Sequence, residues 1–511
     1  MIWTSPYEPI DVDGPPLPEL VRATAARVPD APALADDPSG AVVSYGTLVA
    51  RMERVAAGLS GRGFEPGDVL AIWAPNVAPW AGAALGAMTA GGAVTGVSPM
   101  ATESELTDQL RTTGASVLVT VRSMGDAARA GARATSVREL LTFDELIGSD
   151  APAPAPRLDR DAPALLPMSS GTTGLPKAVV LTHRNLACGT AQLGVGFQLR
   201  ERDTLLGVAP YAHVMGFVVT LAVPLVAGAT AVTLRKFGVE PLLDAIERHR
   251  PTVLIGPPPV LRVLVDHPAV AARDLSSLEL IGAGGAPLAA ELQEAVPARF
   301  PDAVVGQGYG MTETSAPIPT PDRLRGTPPG TVGCLAPSTE LRVVDPDTGA
   351  TRGPGERGEL WVRGPQNTPG YLGRPHATAE LIDSDGWLHT GDLGWMDEDG
   401  RLHVVDRLKS LIKVNALQVA PAELEALIAT HPGVADVAVI ARPDERTGEI
   451  PVAIVVPRGE LDVDELIAWV AKRVPRHKRI HSVRLTDRIP RTPSGKILHR
   501  ELVAEDRQLV G

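Results

Sequence analysis

Short apolar runs closed by Gly or Pro alternate with alanine-rich stretches of helical spacing, and this alternation limits the fold more than any other feature. Val69-Leu70-Ala71-Ile72-Trp73, Ser116-Val117-Leu118-Val119-Thr120-Val121 and Val253-Leu254-Ile255-Gly256 are nearly uniform in apolar character. Runs of that kind fit strands covered on both faces. Leu48–Leu59 has the spacing of a helix. Strand, helix, strand in this order predicts parallel α/β layers. The longest small-apolar stretch, Trp80–Val97, is rich in Ala and Gly and poor in strongly membrane-seeking residues, so it is predicted as a buried helix. At 511 residues the chain should hold about three structural units.

The texture then changes. Ala151-Pro152-Ala153-Pro154-Ala155-Pro156 reads as a stiff, extended connector. From about Thr331, Leu341–Gly349 and Gly358–Gly364 read as strands joined by tight turns, an antiparallel, barrel-like piece. After Asp406 comes a helix over Pro421–Thr430, followed by strands over Ala435–Ile440 and Val452–Val456. A small C-terminal α+β domain is therefore expected from about Arg407.

Charge and composition exclude several classes of function. The chain carries 48 basic and 60 acidic residues, a formal net charge of −12, without a long basic run. Bulk attraction to nucleic acid or to an anionic membrane is not expected, so an anion site must be local. Met1-Ile2-Trp3-Thr4-Ser5-Pro6 has neither a charged nor an apolar leader region, and a cytoplasmic protein is expected. Cys188 and Cys334 are too few for a disulfide framework and lack metal-ligand spacing.

Such a local site is offered by Ser169-Ser170-Gly171-Thr172-Thr173-Gly174-Leu175-Pro176-Lys177. Two glycines permit close backbone approach, four hydroxyls and free N–H groups converge, and a lysine closes the run, which is equipment for a polyphosphate. The Walker A spacing is absent, and Ala178 follows the lysine. Alone, the run would read equally well as a solvated linker. Lysine usage argues against that. Only seven of the basic residues are lysine, and four lie in motif-like settings: Lys177, Lys409, Lys413 and Lys496 in Thr492-Pro493-Ser494-Gly495-Lys496. In an arginine-biased chain a retained lysine marks a need for a compact ammonium. Lys236, Lys472 and Lys478 read as ordinary surface charges.

Four further segments share the character of the first loop. They are Gly306-Gln307-Gly308-Tyr309-Gly310-Met311-Thr312-Glu313, Trp387-Leu388-His389-Thr390-Gly391-Asp392, Asp406-Arg407-Leu408-Lys409 and Pro490–Lys496. In this order, from roughly Gln109 to Leu502, they resemble the adenylate-forming superfamily (acyl-CoA synthetases, adenylation domains, luciferases), and within it the 4-coumarate–CoA ligase branch.

The resemblance implies an α/β fold. A large N-terminal domain, residues 1–405, would hold two α/β subdomains with mixed sheets plus the barrel-like subdomain. A hinge at 406–410, with Lys409 as its pivot, would lead to a small mobile α+β lid, 411–511. It also implies roles. Ser169, Ser170, Gly171, Thr172, Thr173, Gly174 and Lys177 would wrap the β- and γ-phosphates of ATP. Gly284, Gly285 and Ala286, with Gly308 and Tyr309, would sandwich the adenine. Thr312 would bond the α-phosphate, and Glu313 with Thr172 would hold Mg²⁺. Asp392 would accept the ribose hydroxyls beside Arg407. Lys496 would reach the substrate oxyanion and α-phosphate, and Lys413 and Gln418 would hold the adenylate in a second domain orientation. His213, in Pro210-Tyr211-Ala212-His213, would gate the acyl pocket. That pocket would be lined by Met215, Phe217, Gly284, Gly308, Ala316 and Pro317, and glycine at its base leaves depth for a ring substituent.

The sequence departs from the family at the junction. Asn415-Ala416-Leu417 stands before Gln418 where relatives carry Lys-Gly-aromatic, and Ala416 adds a Cβ beside the expected pantetheine path. Ala178, Met168, Ala212 and Thr368-Pro369 also replace usual residues. Three readings follow. The first is an aryl acid–CoA ligase acting on a hydroxycinnamate- or benzoate-like acid with CoA as second substrate. The second is adenylation with another acceptor: an amine in an amide synthetase, or nitrite coupled to an aryl amine in a diazotase. The third is a non-catalytic nucleotide-binding relative. A monomer or homodimer is expected, with no nucleic-acid or membrane partner.

Overall fold

The computed structural model describes residues 1–37, 39–147, 158–169, 176–315, 317–414, 417–444, 446–492 and 497–510. The chain divides into two compact units: Ile2–Leu341 with Val362–His389, and Arg342–Trp361 with Thr390–Gly511 and Met1. The Ala151–Pro156 connector lies outside the described residues.

The first unit contains two large sheets of the kind the alternation predicts. In one, Val69–Trp73 runs parallel to Ala93–Val97 on one side and to Val117–Thr120 on the other. Every residue of all three strands is buried, which is why they read as unbroken apolar runs. The strand Lys177–Thr182 joins this sheet antiparallel through Pro163–Leu165 and carries Gly370–Tyr371 on its outer edge, which makes the sheet mixed.

The second sheet is parallel across Val304–Gln307, Leu280–Ala283, Val253–Gly256, Thr204–Gly207, Thr230–Leu234 and Pro32–Asp37. Because these strands run the same way, their C-terminal ends share one edge. In open α/β sheets that edge is where ligands bind.

Local sequence explains the helix boundaries. Thr102 accepts the Glu105 N–H while the Glu105 carboxylate accepts the Thr102 N–H, a capping box that starts Glu103–Thr113, and Gly114 at φ 66° ends it. Thr182 and Asn185 form a second box at the start of His183–Phe197, directly after the strand that begins with Lys177. The expected single helix over Trp80–Val97 is instead a fully buried helix, Pro79–Thr89, and a strand, Ala93–Val97. Gly91 and Gly92 break it. Gly91 sits at φ +87°, and a Cβ on Gly92 would fall 2.3 Å from the Phe64 ring.

In the second unit, Leu388–Met396 pairs antiparallel with Leu402–Arg407. A further sheet of Leu417–Val419, Ile412–Val414, Gly448–Pro457 and Val434–Asp444, with Ser482–Leu485 parallel to Gly448–Pro457, packs on Pro421–Ala429 and Val463–Ala471 around its own core. This is the α+β texture expected after Asp406. Among the described residues no helix is long and apolar enough to cross a membrane.

Candidate active site

In the first unit, three stretches that bear predicted site residues come together. Ser169 and Lys177 are register partners in the pairing of Met168–Ser169 with Lys177–Thr182. Both strands pack against the short turn Thr312–Thr314. The Ser169 hydroxyl is buried and has no hydrogen-bond partner among the described residues. An orphan donor opposite a lysine fits an anionic oxygen brought by a ligand. Ser170, Gly171, Thr172, Thr173 and Gly174 lie outside the described residues.

Glu313 is 5 % exposed, and its Oε1 accepts the Tyr371 hydroxyl at 2.8 Å. The Lys177 ammonium lies over the same tyrosine ring, 4.7 Å from its centroid. Sequence reasoning missed Tyr371, which carries no motif of its own beyond the Gly370-Tyr371 step. Thr312 is half-buried beside Glu313. Ser315 follows at φ 44°, a left-handed backbone uncommon outside glycine, with its hydroxyl donating to the Gln366 carbonyl at 2.6 Å. A single buried carboxylate near a lysine and an unpartnered hydroxyl could hold Mg²⁺ if a phosphate ligand bound there, since that ion takes one or two carboxylates and completes its shell with phosphate oxygens and water. Among the described residues no cluster of three acidic, His or Cys ligands competes for that role.

At the C-terminal edge of the parallel sheet, Ala283 and Gln307 are register partners, so Gly284 and Gly308 emerge side by side. The Gly308 N–H donates to the Ala283 carbonyl at 2.8 Å. A Cβ on Gly284 would lie 3.3 Å from Met215 Sδ, and one on Gly308 would meet only ordinary contacts near 3.8 Å. Met215 therefore faces Gly284, whereas Gly308 turns towards Pro321. Gly285, at φ +81°, and Ala286 continue from the same strand end. The Tyr309 carbonyl accepts Ile318 N–H, and Pro317 bridges Gly310. Ala316 lies outside the described residues.

His213 occupies the turn before a π-helical stretch, Met215–Ala222, a form frequent at functional sites. Its Nδ1 accepts the Met215 N–H at 3.2 Å, and desolvation lowers its pKa below the ordinary histidine value, keeping the ring neutral. The turn is clamped by Asn76, whose amide donates to the Ala209 carbonyl at 3.0 Å and accepts the Tyr211 N–H at 2.8 Å. Phe217 packs into the core against Trp80, with ring centroids 5.7 Å apart.

In the second unit, Asp392 and Arg407 are register partners across the hairpin, and Arg407 Nε lies 3.2 Å from Asp392 Oδ1. Asp392 is 3 % exposed. Gly391, at φ +68°, turns the chain into the pair, and its N–H donates to Glu359 at 3.1 Å. Lys413 and Gln418 are also register partners, and the Lys413 side chain is exposed. Leu417 is an exposed large apolar residue at the junction, whereas Asn415 and Ala416 lie outside the described residues. So does Lys496. Arg491 and Ile497, which flank its loop, form an antiparallel bridge. Lys478 is more than a solvated charge: it pairs with Glu423, which also takes Arg357 at 2.8 Å.

The AMP-binding enzyme family model matches residues 21–372, and the AMP-binding enzyme C-terminal domain model matches 423–496. The chain belongs to the AMP-binding enzyme family. This AMP-binding enzyme is 40 % identical to 4-coumarate–CoA ligase 5 of Oryza sativa subsp. japonica, over 96 % of this chain and 94 % of the relative. Among solved structures it is similar to o-succinylbenzoate CoA synthetase of Bacillus subtilis in complex with its acyl-adenylate intermediate. That likeness has a TM-score of 0.84 and 28 % identity and covers 96 % of this chain and 98 % of the other. It is also similar to an amide bond synthetase of Marinactinospora thermotolerans (TM-score 0.86, 28 % identity, covering 96 % and 100 %). The α/β fold and the adenylate-forming resemblance expected from the sequence are thereby confirmed for this family member.

Proposed function

We propose that this AMP-binding enzyme is an ATP-dependent, AMP-forming aryl acid–CoA ligase. It activates a hydroxycinnamate- or benzoate-like carboxylate as the acyl-adenylate, releases pyrophosphate and transfers the acyl group to CoA. The observation that carries the reading is the buried, unpartnered Ser169 hydroxyl set in register with Lys177 and packed beside the buried carboxylate of Glu313. The 4-coumarate–CoA ligase likeness along nearly the whole chain supports the substrate class.

The chemistry assigns each group a task. A carboxylate attacking ATP brings like charges together, and the transition state spreads charge over the α-phosphate. Bound Mg²⁺ would neutralise phosphate charge. Ser169 and Lys177, with the hydroxyls of the phosphate loop, hold the β- and γ-phosphates, and Thr312 bonds the α-phosphate. Glu313 and Thr172 would hold the metal. Asp392 beside Arg407 accepts the ribose hydroxyls. Lys496 approaches the oxyanion, and removing a donor of this kind costs about 2–4 kcal/mol. His213, neutral through desolvation, closes the acid pocket formed by Met215, Gly284 and Gly308.

A second reading keeps the adenylation and changes the acceptor to an amine or nitrite. The sequence Asn415-Ala416-Leu417 favours it, because alanine replaces the glycine that relatives carry before the glutamine, and so does the likeness to an amide bond synthetase. The test is mass analysis of products with ATP, Mg²⁺ and a panel of hydroxy- and amino-substituted cinnamates and benzoates, run with CoA, without it, and with nitrite. Thioester and AMP appearing only with CoA establish the ligase. AMP with an amide or a diazo product establishes the second reading.

A further inference from the structure

The adenylation reading gives Lys177 to the phosphates and Glu313 to the metal, and it leaves open what fixes either side chain. One residue touches both. Gly370–Tyr371 pairs antiparallel with Lys177–Thr182, with Tyr371 opposite Val179. Lys177 and Val179 are two residues apart on a strand and share a face, so Lys177 is a diagonal neighbour of Tyr371, within reach of long and aromatic side chains. The ammonium sits 4.7 Å from the ring centroid. The phenol hydroxyl donates to Glu313 Oε1 at 2.8 Å.

The backbone around Tyr371 is held from several sides. Its N–H donates to Thr378 Oγ1 at 3.0 Å. The Thr368 N–H donates to the Glu313 carbonyl at 2.8 Å, tying this segment to the carboxylate's own backbone. Gly370 adopts φ +142°, and a Cβ there would fall 2.3 Å from Thr378 Cγ2, so glycine is needed to bring the tyrosine in.

We propose that Tyr371 is a positioning residue that sets the metal carboxylate and the phosphate lysine in one geometry. Its hydroxyl occupies Oε1 of Glu313 and leaves Oε2 for the cation. Its face holds the Lys177 ammonium until phosphate oxygens replace the ring. Edge and face thus serve opposite charges, so neither neutralises the other before Mg²⁺·ATP arrives. This assignment rests on the adenylation reading for the identity of the ligand.

The test uses the full chain as wild type, Tyr371→Phe and Tyr371→Leu, with Mn²⁺ as a paramagnetic probe and ATP. Outer-shell partners of metal ligands typically contribute about 10–100-fold in metal affinity. Tyr371→Phe should therefore weaken Mn²⁺ in the ternary complex about tenfold or more, while metal-free ATP binding stays within about twofold. Tyr371→Leu should weaken both, because the face is lost as well. A merely structural residue would lower both affinities together in each variant, and that result, or wild-type Mn²⁺ affinity in Tyr371→Phe, overturns the assignment. Acid-dependent AMP formation by the wild type is measured alongside. No AMP from any acid, with the Mn²⁺ split intact, defeats the adenylation reading and leaves Tyr371 standing. AMP formation with no split does the reverse. A wild type that binds no Mn²⁺ with ATP defeats both.

Discussion

Gly284→Ala is the sharpest probe of the acid pocket. The added Cβ would stand 3.3 Å from Met215 Sδ and 3.8 Å from the Gly308 carbonyl oxygen. The first distance is tight by a few tenths of an ångström, and a methionine thioether with three rotatable bonds can yield that much. The fold should therefore tolerate the change, with the melting temperature within about 2 °C of wild type. In the proposed pocket the new methyl would occupy the depth that a ring substituent needs. Excluding a group of about that size costs roughly 1–3 kcal/mol, or about 10–200-fold. The assay is kcat/KM by pyrophosphate release for matched acids with and without a para substituent. Their ratio should fall by that factor in Gly284→Ala. Gly308→Ala, whose Cβ meets only Pro321 Cγ at 3.8 Å and the Ala283 carbonyl oxygen at 3.9 Å, should behave alike with no repacking. If both variants fold normally and the ratio does not move, the acid does not lie against this glycine pair, and the pocket assignment is wrong.

Three more expectations can be checked directly. Arg323→Met should cost about 1.5–3 kcal/mol in chemical denaturation, because the buried Asp203 carboxylate loses its 2.6 Å guanidinium partner while it keeps Arg200 at 2.8 Å; a loss below about 0.5 kcal/mol would contradict this. Asp406→Asn should flatten the acid side of the stability curve. Burial pushes this carboxyl up to about 6, against the backbone N–H groups of Ala422 and Arg407 that favour its charge. A folded pKa above the unfolded one means stability is fully present below about pH 4 and is lost as pH rises to about 6, by at most about 3 kcal/mol. Equal pH slopes for wild type and variant would show that Asp406 does not carry the effect. Lys496→Ala should lower acid-dependent AMP formation by about 10²–10³ with the fold intact, and unchanged adenylation would remove this lysine from the chemistry.

Much of this was legible in the chain because it is written locally. The covered strands declare themselves as apolar runs, and Val69–Trp73 and Val253–Gly256 fall where composition places them. Gly308 is likewise visible within the Gly306–Glu313 motif, whereas Gly284 is picked out only by the family resemblance. Trp80–Val97 misled because alanine and glycine suit a buried helix and a buried strand equally, and only the Gly91-Gly92 turn separates them. Residues whose meaning lies in a distant partner leave no local pattern. Tyr371 meets Glu313 from 58 positions away, Arg323 meets Asp203 from 120, and Asn76 grips Tyr211 from 135. Lys478 looked like solvated charge for the same reason, since Glu423 lies 55 residues away.

The Asn76 clamp has a consequence for entry to the proposed acid pocket. Asn76 follows a strand of one sheet and grips the chain leaving a strand of the other, at Ala209 and Tyr211. The same turn is pressed on both flanks. A Cβ on Gly216 would fall 1.9 Å from the Pro210 carbonyl oxygen, and one on Gly96 would fall 2.5 Å from Ala212 Cα. A segment wedged so tightly cannot swing aside as a flap without prying the two layers apart. In the gating role proposed for His213, the ring would open the pocket by turning about its own torsions while the backbone around it stays in place.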